Sequence, residues 1–224
     1  MIRFTGDTHG EHNRFSALRA FDEESWTEND TLIVCGDFGY IFSDDPIEHI
    51  FLDKLEQKKY TICFCCGNHE NFDALYRYEE EIWNGGRVHR IRKNIYHLMR
   101  GQVFTIEGKR IFTFGGAYSI DRYMRTEHIS WWRQELPCKE EYAEATKNLD
   151  LCNREVDYIV THTAPTEIIR RMGYDPNYPD AELTDFLERV MHTVTYKQWF
   201  FGHWHRDREI DEKHRALWYD VEER

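Results

Sequence analysis

The chain has 224 residues, of which 41% are hydrophobic and 31% are charged. This length and apolar content suit one globular domain with a substantial buried core, and they argue against disorder. Acidic residues outnumber basic ones by 41 to 29, and the resulting net charge of −12 repels the phosphates of long nucleic acids. We therefore expect a single domain over residues 1–224 that does not bind long nucleic acid.

The cysteines and the apolar segments indicate the compartment. Cys63, Cys65 and Cys66 lie within the apolar segment Tyr60–Cys66, which predicts a buried strand with reduced thiols that pack as small hydrophobic groups. Such thiols fit a reducing compartment. No apolar stretch approaches the length of a membrane span, and the N terminus lacks a signal-peptide pattern. The sequence therefore predicts a cytoplasmic protein without a membrane partner.

Three apolar segments in the N-terminal half each end in a glycine-containing turn with potential ligands. They are Ile2–Phe4 before Gly6-Asp7-Thr8-His9, Thr31–Cys35 before Gly36-Asp37, and Tyr60–Cys65 before Gly67-Asn68-His69-Glu70. Apolar residues at helical spacing follow the first two turns: Phe15, Leu18 and Phe21 in one case, and Ile47, Ile50, Phe51 and Leu55 behind Pro46 in the other. This alternation predicts units of strand, loop and helix.

The C-terminal half contains further short elements. The pattern predicts a hairpin over 102–106 and 111–114, helices over 137–152 and 181–191, loops over 117–135 and 173–180, and a closing hairpin from 208–210 and 216–221. Strands over 157–161 and 198–201 would end at His162 and at Gly202-His203-Trp204-His205. Because binding crevices form at the carboxyl ends of strands in open α/β sheets, we expect the five polar segments to converge.

The five polar segments occur in an order that resembles the motif order of a known family. Asp-x-His, Gly-Asp, Gly-Asn-His-Glu, a strand-end histidine and Gly-His-x-His follow one another from Gly6 to His205. Over nearly its whole length the chain resembles the calcineurin-like metallophosphoesterases, in particular their small bacterial members. The resemblance implies a two-sheet α/β sandwich flanked by helices, with a dinuclear metal site at the carboxyl ends of the strands.

The resemblance also implies a role for each of these side chains. The seven implied metal ligands form two sets with a shared carboxylate: Asp7, His9 and His205 for one metal, Asn68, His162 and His203 for the other, and Asp37 bridging both. Imidazoles and carboxylates without thiolates favour manganese, iron, zinc or nickel over calcium. A hydroxide bridging the two metals would attack a phosphomonoester or phosphodiester, and His69 would act as the general acid for the leaving alkoxide.

The second motif departs from that of the protein Ser/Thr phosphatases of the superfamily. Those enzymes extend it to Gly-Asp-x-x-Asp-Arg-Gly, whereas this chain has Gly36-Asp37-Phe38-Gly39-Tyr40-Ile41-Phe42. The missing carboxylate would orient the catalytic histidine, and the missing arginine would clamp the phosphate. We therefore expect a substrate other than phosphoprotein, unless another residue replaces either group.

The segment 115–132 is the candidate for substrate contacts. Arg122 or Arg125 could bind phosphate, and a tryptophan of this segment could stack on the flat part of a small phosphorylated substrate such as a nucleotide. The alternative is a packed aromatic cover with solvated arginines. Tyr174 and Tyr178 would form the facing side of the site.

The other histidines match no ligand position, and we expect them at the surface or at caps: His12, His49, His89, His97, His128, His192 and His214. The acidic run Glu79-Glu80-Glu81 is expected on a solvated helix face. Three alternatives to this general phosphoesterase stay open. They are a nuclease or cyclic-nucleotide phosphodiesterase that uses the same metals, a noncatalytic scaffold, and a purely structural metal site.

Overall fold

The computed structural model describes residues 1–11, 13–15, 25–176 and 179–224. The strands within these ranges are β1 (Ile2–Thr5), β2 (Thr31–Val34), β3 (Thr61–Phe64), β4 (Glu80–Trp83), β5 (Gly86–Arg92), β6 (Ile95–Leu98), β7 (Gln102–Ile106), β8 (Lys109–Phe114), β9 (Tyr158–Thr161), β10 (Gln198–Phe201), β11 (Arg208–Glu209), β12 (His214–Ala216) and β13 (Glu222–Glu223). The α-helices are α1 (Pro46–Glu56), α2 (Phe72–Leu75), α3 (Lys139–Leu151), α4 (Thr166–Arg171) and α5 (Ala181–Thr193).

Two mixed sheets pack face to face. The first has the strand order β13-β1-β2-β3-β6-β5-β4, and the second has the order β11-β12-β10-β9-β8-β7. Their inner faces share an apolar core, in which the ring of Phe4 from β1 stacks on the ring of Phe200 from β10 with centroids 4.3 Å apart. Helix α1 packs on the outer face of the first sheet, and α3, α4 and α5 pack on the second. The predicted two-sheet α/β sandwich flanked by helices is confirmed.

The central strands of both sheets are parallel. β2 runs parallel to both β1 and β3, and β9 runs parallel to both β8 and β10. Every residue of β1, β2 and β9 is buried, as expected for apolar strands that are covered on both faces. Loops that follow neighbouring strands therefore start side by side, and these loops carry the polar motifs.

Helix α1 begins at Pro46 as predicted, and its apolar residues differ in burial. Leu52 and Leu55 are buried, whereas Ile47 and Ile50 are 62% and 53% exposed. The carboxylate of Glu48 accepts backbone N–H groups of the preceding loop 42–44 at 2.6 to 3.0 Å. These bonds join the first turn of the helix to the loop that precedes it.

The segment around Glu79-Glu80-Glu81 is also corrected by the structure. Glu80 and Glu81 lie in β4, an edge strand antiparallel to β5, rather than on a helix. Glu80 and Glu81 pair with Arg87 and Arg90 of β5 at 3.4 and 3.7 Å. Opposite charges on neighbouring strands stabilise this pairing, so the acidic run is compatible with a sheet edge.

The last predicted hairpin is present in part. β11 pairs with β12 at 214–216, so its partner begins and ends earlier in the chain than the predicted segment 216–221. β13 belongs to the other sheet, where it pairs with β1. The hairpin of β7 and β8 is confirmed. In the helix predicted from Phe15, Leu18 and Phe21, the last two residues lie outside the described part of the chain.

Three histidines that were expected at the surface are buried. His89, His97 and His214 are 2%, 3% and 6% exposed. Nδ1 of His89 lies 2.9 Å from Nδ1 of His97, and Nε2 of His214 lies 2.8 Å from the Tyr196 hydroxyl. A neutral imidazole has one donor and one acceptor nitrogen, so these polar pairs reduce the cost of burial. His12 lies outside the described residues.

The thiols of Cys63, Cys65 and Cys66 are free and buried, as predicted. Burial raises the pKa of the Cys66 thiol to about 12, which keeps it neutral. Among the described residues, we find no helix whose length and hydropathy would let it span a bilayer.

Candidate metal centre

Five loops at strand ends carry the predicted ligands: Asp7 and His9 follow β1, Asp37 follows β2, Asn68 follows β3, His162 follows β9, and His203 and His205 follow β10. The structure brings these loops together across the two sheets. The backbone N–H of His203, after β10, donates to Asp7 Oδ1, after β1, at 2.9 Å. Convergence of the five segments, which the sequence predicted, is therefore a feature of the fold.

One group of donor atoms consists of Asp7, His9 and His205, whose ligand atoms lie within 4.8 Å of one another. His205 Nε2 lies 2.8 Å from His9 Nε2 and 3.8 Å from Asp7 Oδ2. Asp7 Oδ2 is buried and has no hydrogen-bond partner among the described residues. A buried carboxylate oxygen without a donor is costly, so its position beside two imidazoles fits a divalent cation.

A second group is built around His162. Its Nε2 lies 3.3 Å from Asp37 Oδ1 and 3.0 Å from Asn68 Oδ1, and its Nδ1 donates to the Cys35 carbonyl at 2.9 Å. The bond at Nδ1 orients the ring so that Nε2 faces the centre. Burial lowers the pKa of His162, but Asp37 and Asp7 outweigh burial and raise it to about 10. The carboxylates of Asp37 and Asp7 thus favour a positive charge next to His162.

Asp37 lies between the two groups. Its Oδ2 is 3.8 Å from His9 Nε2, while its Oδ1 is 3.3 Å from His162 Nε2 and accepts the His69 backbone N–H at 2.8 Å. Burial raises the pKa of Asp37, but the nearby histidines, His162 first and then His69 and His9, together hold it well below its usual value. Asp37 thus directs one carboxylate oxygen toward each donor group.

The imidazoles of His9 and His203 are available as neutral donors. Burial lowers the pKa of His9 to about 4 and that of His203 to about 3. The His203 ring packs edge-on against His162, with centroids 5.0 Å apart. Neutral imidazole is the form that binds cations, so neither side chain has to lose a proton at neutral pH. Both groups together offer imidazole nitrogens, carboxylate oxygens and one amide oxygen, a set that suits divalent transition metals.

Four of the seven predicted ligands have left-handed backbone conformations. The φ angles are 48° at His9, 47° at Asp37, 67° at His203 and 46° at His205. Such angles are unusual for residues other than glycine and cost roughly 1–3 kcal/mol each. Strained conformations of this kind cluster at functional sites, where they aim side chains at a common point.

His69 lies at the edge of this centre, next to Asn68 in sequence. Its Nε2 is 3.4 Å from Arg125 Nη2, and the same guanidinium nitrogen donates to Asp121 Oδ2 at 2.8 Å. Burial lowers the pKa of His69. The second motif lacks the aspartate and arginine of the protein phosphatases, and the structure places another aspartate and arginine beside this histidine. Asp121 belongs to the segment 115–132 that was expected to contact the substrate, but its place beside His69, 52 residues away in the chain, was not predicted.

Glu70 connects two of the ligand loops. Its carboxylate is fully buried and accepts the backbone N–H of Phe38 and that of Gly67, each at 2.7 Å. Phe38 follows Asp37, and Gly67 precedes Asn68. Glu70 therefore fixes the loop after β2 relative to the loop after β3.

Replacing Glu70 with alanine should lower stability. Two buried N–H groups would lose their acceptor, at a cost of about 1–3 kcal/mol each. Urea denaturation followed by circular dichroism would show this as a lower midpoint. The exposed residue Glu79 gives the matched control, Glu79→Ala. Equal midpoints for Glu70→Ala and the control would contradict the connecting role of Glu70.

A cavity of about 350 Å³ opens at the centre and includes Asn68, His69 and Arg125 in its wall. On the far side Tyr174 stacks on Trp204, with ring centroids 4.4 Å apart. Tyr174 thus lines the site as predicted, whereas Tyr178 lies outside the described residues.

The two candidate arginines differ in position. Arg125 lines the cavity, but Arg122 is not part of the cavity wall. The Arg122 guanidinium packs 3.8 Å from the ring centre of Tyr118 and 4.9 Å from that of Trp131. Trp132 is buried, and its Nε1 donates to Asp73 at 2.8 Å. The packed aromatic cover that was left open as an alternative is present around Arg122, but the side chains of Arg122 and Arg125 are only 29% and 17% exposed rather than solvated.

Comparison with known proteins agrees with this geometry. Two similar proteins are lariat debranching enzymes, from Drosophila pseudoobscura pseudoobscura and Drosophila melanogaster, with 25% and 24% identity. Each match covers 91% of this chain but only 42% of the fly enzyme, so the chain spans about two fifths of the length of these relatives. The model of the calcineurin-like phosphoesterases matches residues 1–207. The chain therefore belongs to the calcineurin-like phosphoesterase family.

Proposed function

We propose that the protein, acting as a single domain, hydrolyses phosphomonoesters or phosphodiesters with two divalent cations held at the metal centre. The proposed ligands are Asp7, His9 and His205 for one cation, Asn68, His162 and His203 for the other, and Asp37 for both. The observation that carries the proposal is the position of Asp37, with one oxygen toward each donor group. Membership of the family supports metal-dependent phosphoester hydrolysis in general.

Two such cations, when bound, polarise phosphoryl oxygens and lower the pKa of a water molecule. The donor set favours manganese, iron, zinc or nickel over calcium. His69 lines the cavity beside Asn68, and we propose that its imidazole gives a proton to the leaving oxygen. No protein nucleophile is needed in this reaction.

Arg125 is the proposed phosphate-binding residue. Its guanidinium lines the cavity and is held by Asp121 and by the Ser130 carbonyl, which Nη1 contacts at 3.1 Å. These partners orient the guanidinium before a substrate arrives. A planar guanidinium with several donors suits the oxygens of a phosphate group.

Truncating this side chain should raise KM. Arg125→Ala removes a charge-assisted hydrogen bond worth about 1.5–3 kcal/mol, which corresponds to roughly a 10- to 100-fold higher KM. Steady-state kinetics with a phosphate ester would measure it. Arg133→Ala is the control, because Arg133 is an exposed arginine of the same segment that pairs with Glu127. An unchanged KM in Arg125→Ala would remove the phosphate-binding role.

A substrate panel tests the function itself. Purified protein would be incubated with Mn²⁺, Zn²⁺ or Ni²⁺ and given nitrophenyl phosphate, bis-nitrophenyl phosphate, nucleotides and short RNA. We expect metal-dependent hydrolysis that a chelator abolishes. Protein that binds metal and hydrolyses none of these esters would instead support the noncatalytic scaffold.

Of the two ester classes, the phosphodiester has additional support, because both relatives are lariat debranching enzymes. The stacked pair Tyr174–Trp204 in the cavity wall offers an aromatic surface that suits a nucleotide base. Faster hydrolysis of diesters than of monoesters in the same panel would favour this class. The net charge of −12 still predicts weak binding of long nucleic acid.

A further inference from the structure

Two residues outside the predicted ligand set hold the side chain of Asn68. Asn68 Nδ2 donates to Ser119 Oγ at 3.1 Å, and Ser119 Oγ donates to Glu135 Oε2 at 2.7 Å. The three residues are 5%, 1% and 0% exposed, respectively. We call this buried chain of hydrogen bonds the Asn68 relay.

The direction of the bonds follows from Glu135. An ionised carboxylate only accepts hydrogen bonds, and a serine hydroxyl has a single proton to donate. Burial raises the pKa of Glu135, and its hydrogen bonds with Ser119 and the charge of Arg122 oppose this rise. The Ser119 backbone N–H donates to Glu135 Oε1 at 3.0 Å, and Arg122 Nη1 lies 3.5 Å from the same oxygen. With the hydroxyl proton engaged by Glu135, Ser119 Oγ can only accept from Asn68.

We propose that Glu135 and Ser119 are positioning residues that set which face of the Asn68 amide points to the metal centre. With Nδ2 on Ser119, Oδ1 faces His162 Nε2 at 3.0 Å. The reversed amide would present N–H groups, which cannot bind a cation. The proposal rests on the proposed role of Asn68 as a ligand.

Arg122 lies next to the Asn68 relay. Its guanidinium is fixed between the rings of Tyr118 and Trp131 and lies beside Glu135 rather than in the cavity wall. A fixed positive charge stabilises the carboxylate form of Glu135, which the direction of the relay requires.

The test is Glu135→Gln, which keeps the volume of the side chain. The glutamine amide can donate to Ser119 Oγ, and the hydroxyl proton is then free to donate to Asn68 Oδ1, which turns Nδ2 toward the centre. Titration calorimetry with Mn²⁺ should show about 10- to 100-fold weaker binding at one of two sites. Glu127→Gln is the matched control, because Glu127 belongs to the same segment and pairs with Arg133 instead. Thermal midpoints would confirm that each variant is folded.

A double-mutant cycle separates positioning from a general structural role. Asn68→Asp supplies a carboxylate, whose two oxygens can each bind a cation whichever way the group is turned. Glu135→Gln should therefore cause little further loss of Mn²⁺ affinity in that background. An equal loss in both backgrounds would overturn the proposal. Wild-type affinity in Glu135→Gln would overturn it too and would leave the proposed function intact, whereas a wild-type protein that binds no Mn²⁺ would defeat both.

Discussion

Replacing Asp37 with asparagine is expected to cause the largest loss of activity of any single change at the metal centre. Its two oxygens face His9 Nε2 and His162 Nε2 at 3.8 and 3.3 Å, so this carboxylate is the shared member of both donor groups. Asparagine has one oxygen and one NH₂ group, and it lacks the charge that offsets two cations. Losing several kcal/mol of electrostatic stabilisation corresponds to a fall in kcat/KM of about 10³-fold or more.

Two measurements check this expectation. Elemental analysis of the dialysed protein should show less metal in Asp37→Asn than in the wild type, and the kinetics should show the lower kcat/KM with saturating Mn²⁺. Asp150→Asn is a suitable control, because Asp150 is an exposed residue of α3 that pairs with Arg154. A variant that keeps both metals and loses less than about tenfold in rate would refute the bridging role.

Replacing His69 with asparagine is expected to have the second largest effect, and this effect should depend on the leaving group. A positioned general acid contributes about 10²- to 10⁴-fold to the rate. That contribution matters for an alkyl phosphate, whose alkoxide leaves poorly, and far less for a nitrophenyl ester, whose phenolate leaves without protonation. We therefore expect a large loss of kcat with the alkyl ester and a small loss with the nitrophenyl ester.

The comparison of the two esters is itself a control for structural damage. Misfolding or loss of metal would lower both rates equally, whereas loss of the acid lowers one selectively. His128→Asn provides a further reference, because His128 is an exposed histidine that pairs with Asp73. If His69→Asn hydrolyses the alkyl ester at the wild-type rate, the proton donor is another group.

Much of the metal centre could be predicted because its information is local. Each ligand follows an apolar strand directly, often after a glycine, and this pattern is visible within about ten residues of sequence. Parallel pairing of apolar strands then brings their carboxyl ends to one edge. Each of these patterns is common by itself, and the resemblance to the calcineurin-like phosphoesterases was needed to assign Asp7, Asp37 and His162 as proposed ligands.

Other features depend on contacts between distant segments. Arg122 and Arg125 have the same chemistry and lie three residues apart, but of the two only Arg125 lines the cavity. Arg122 begins a short 3₁₀ helix, and Arg125 follows its end. His89 contacts His97 because the antiparallel register of β5 and β6 places the two residues opposite each other. This pairing allows both imidazoles to be buried, although a single imidazole would be expected at the surface.

The sequence by itself determined the order of the polar loops and the chemical types of their side chains, because strand pattern and turn composition act over short distances. The two-sheet sandwich followed from the resemblance of these motifs to the family. Only the tertiary structure decided which polar and charged groups surround those side chains. Asp121, Ser119 and Glu135 lie far from Asn68 and His69 in sequence, and only packing of the segment 115–135 against the strand ends brings them within hydrogen-bonding distance of the site. Hydrogen bonds act over about 3 Å, so side chains that meet only through packing leave no local pattern in the sequence.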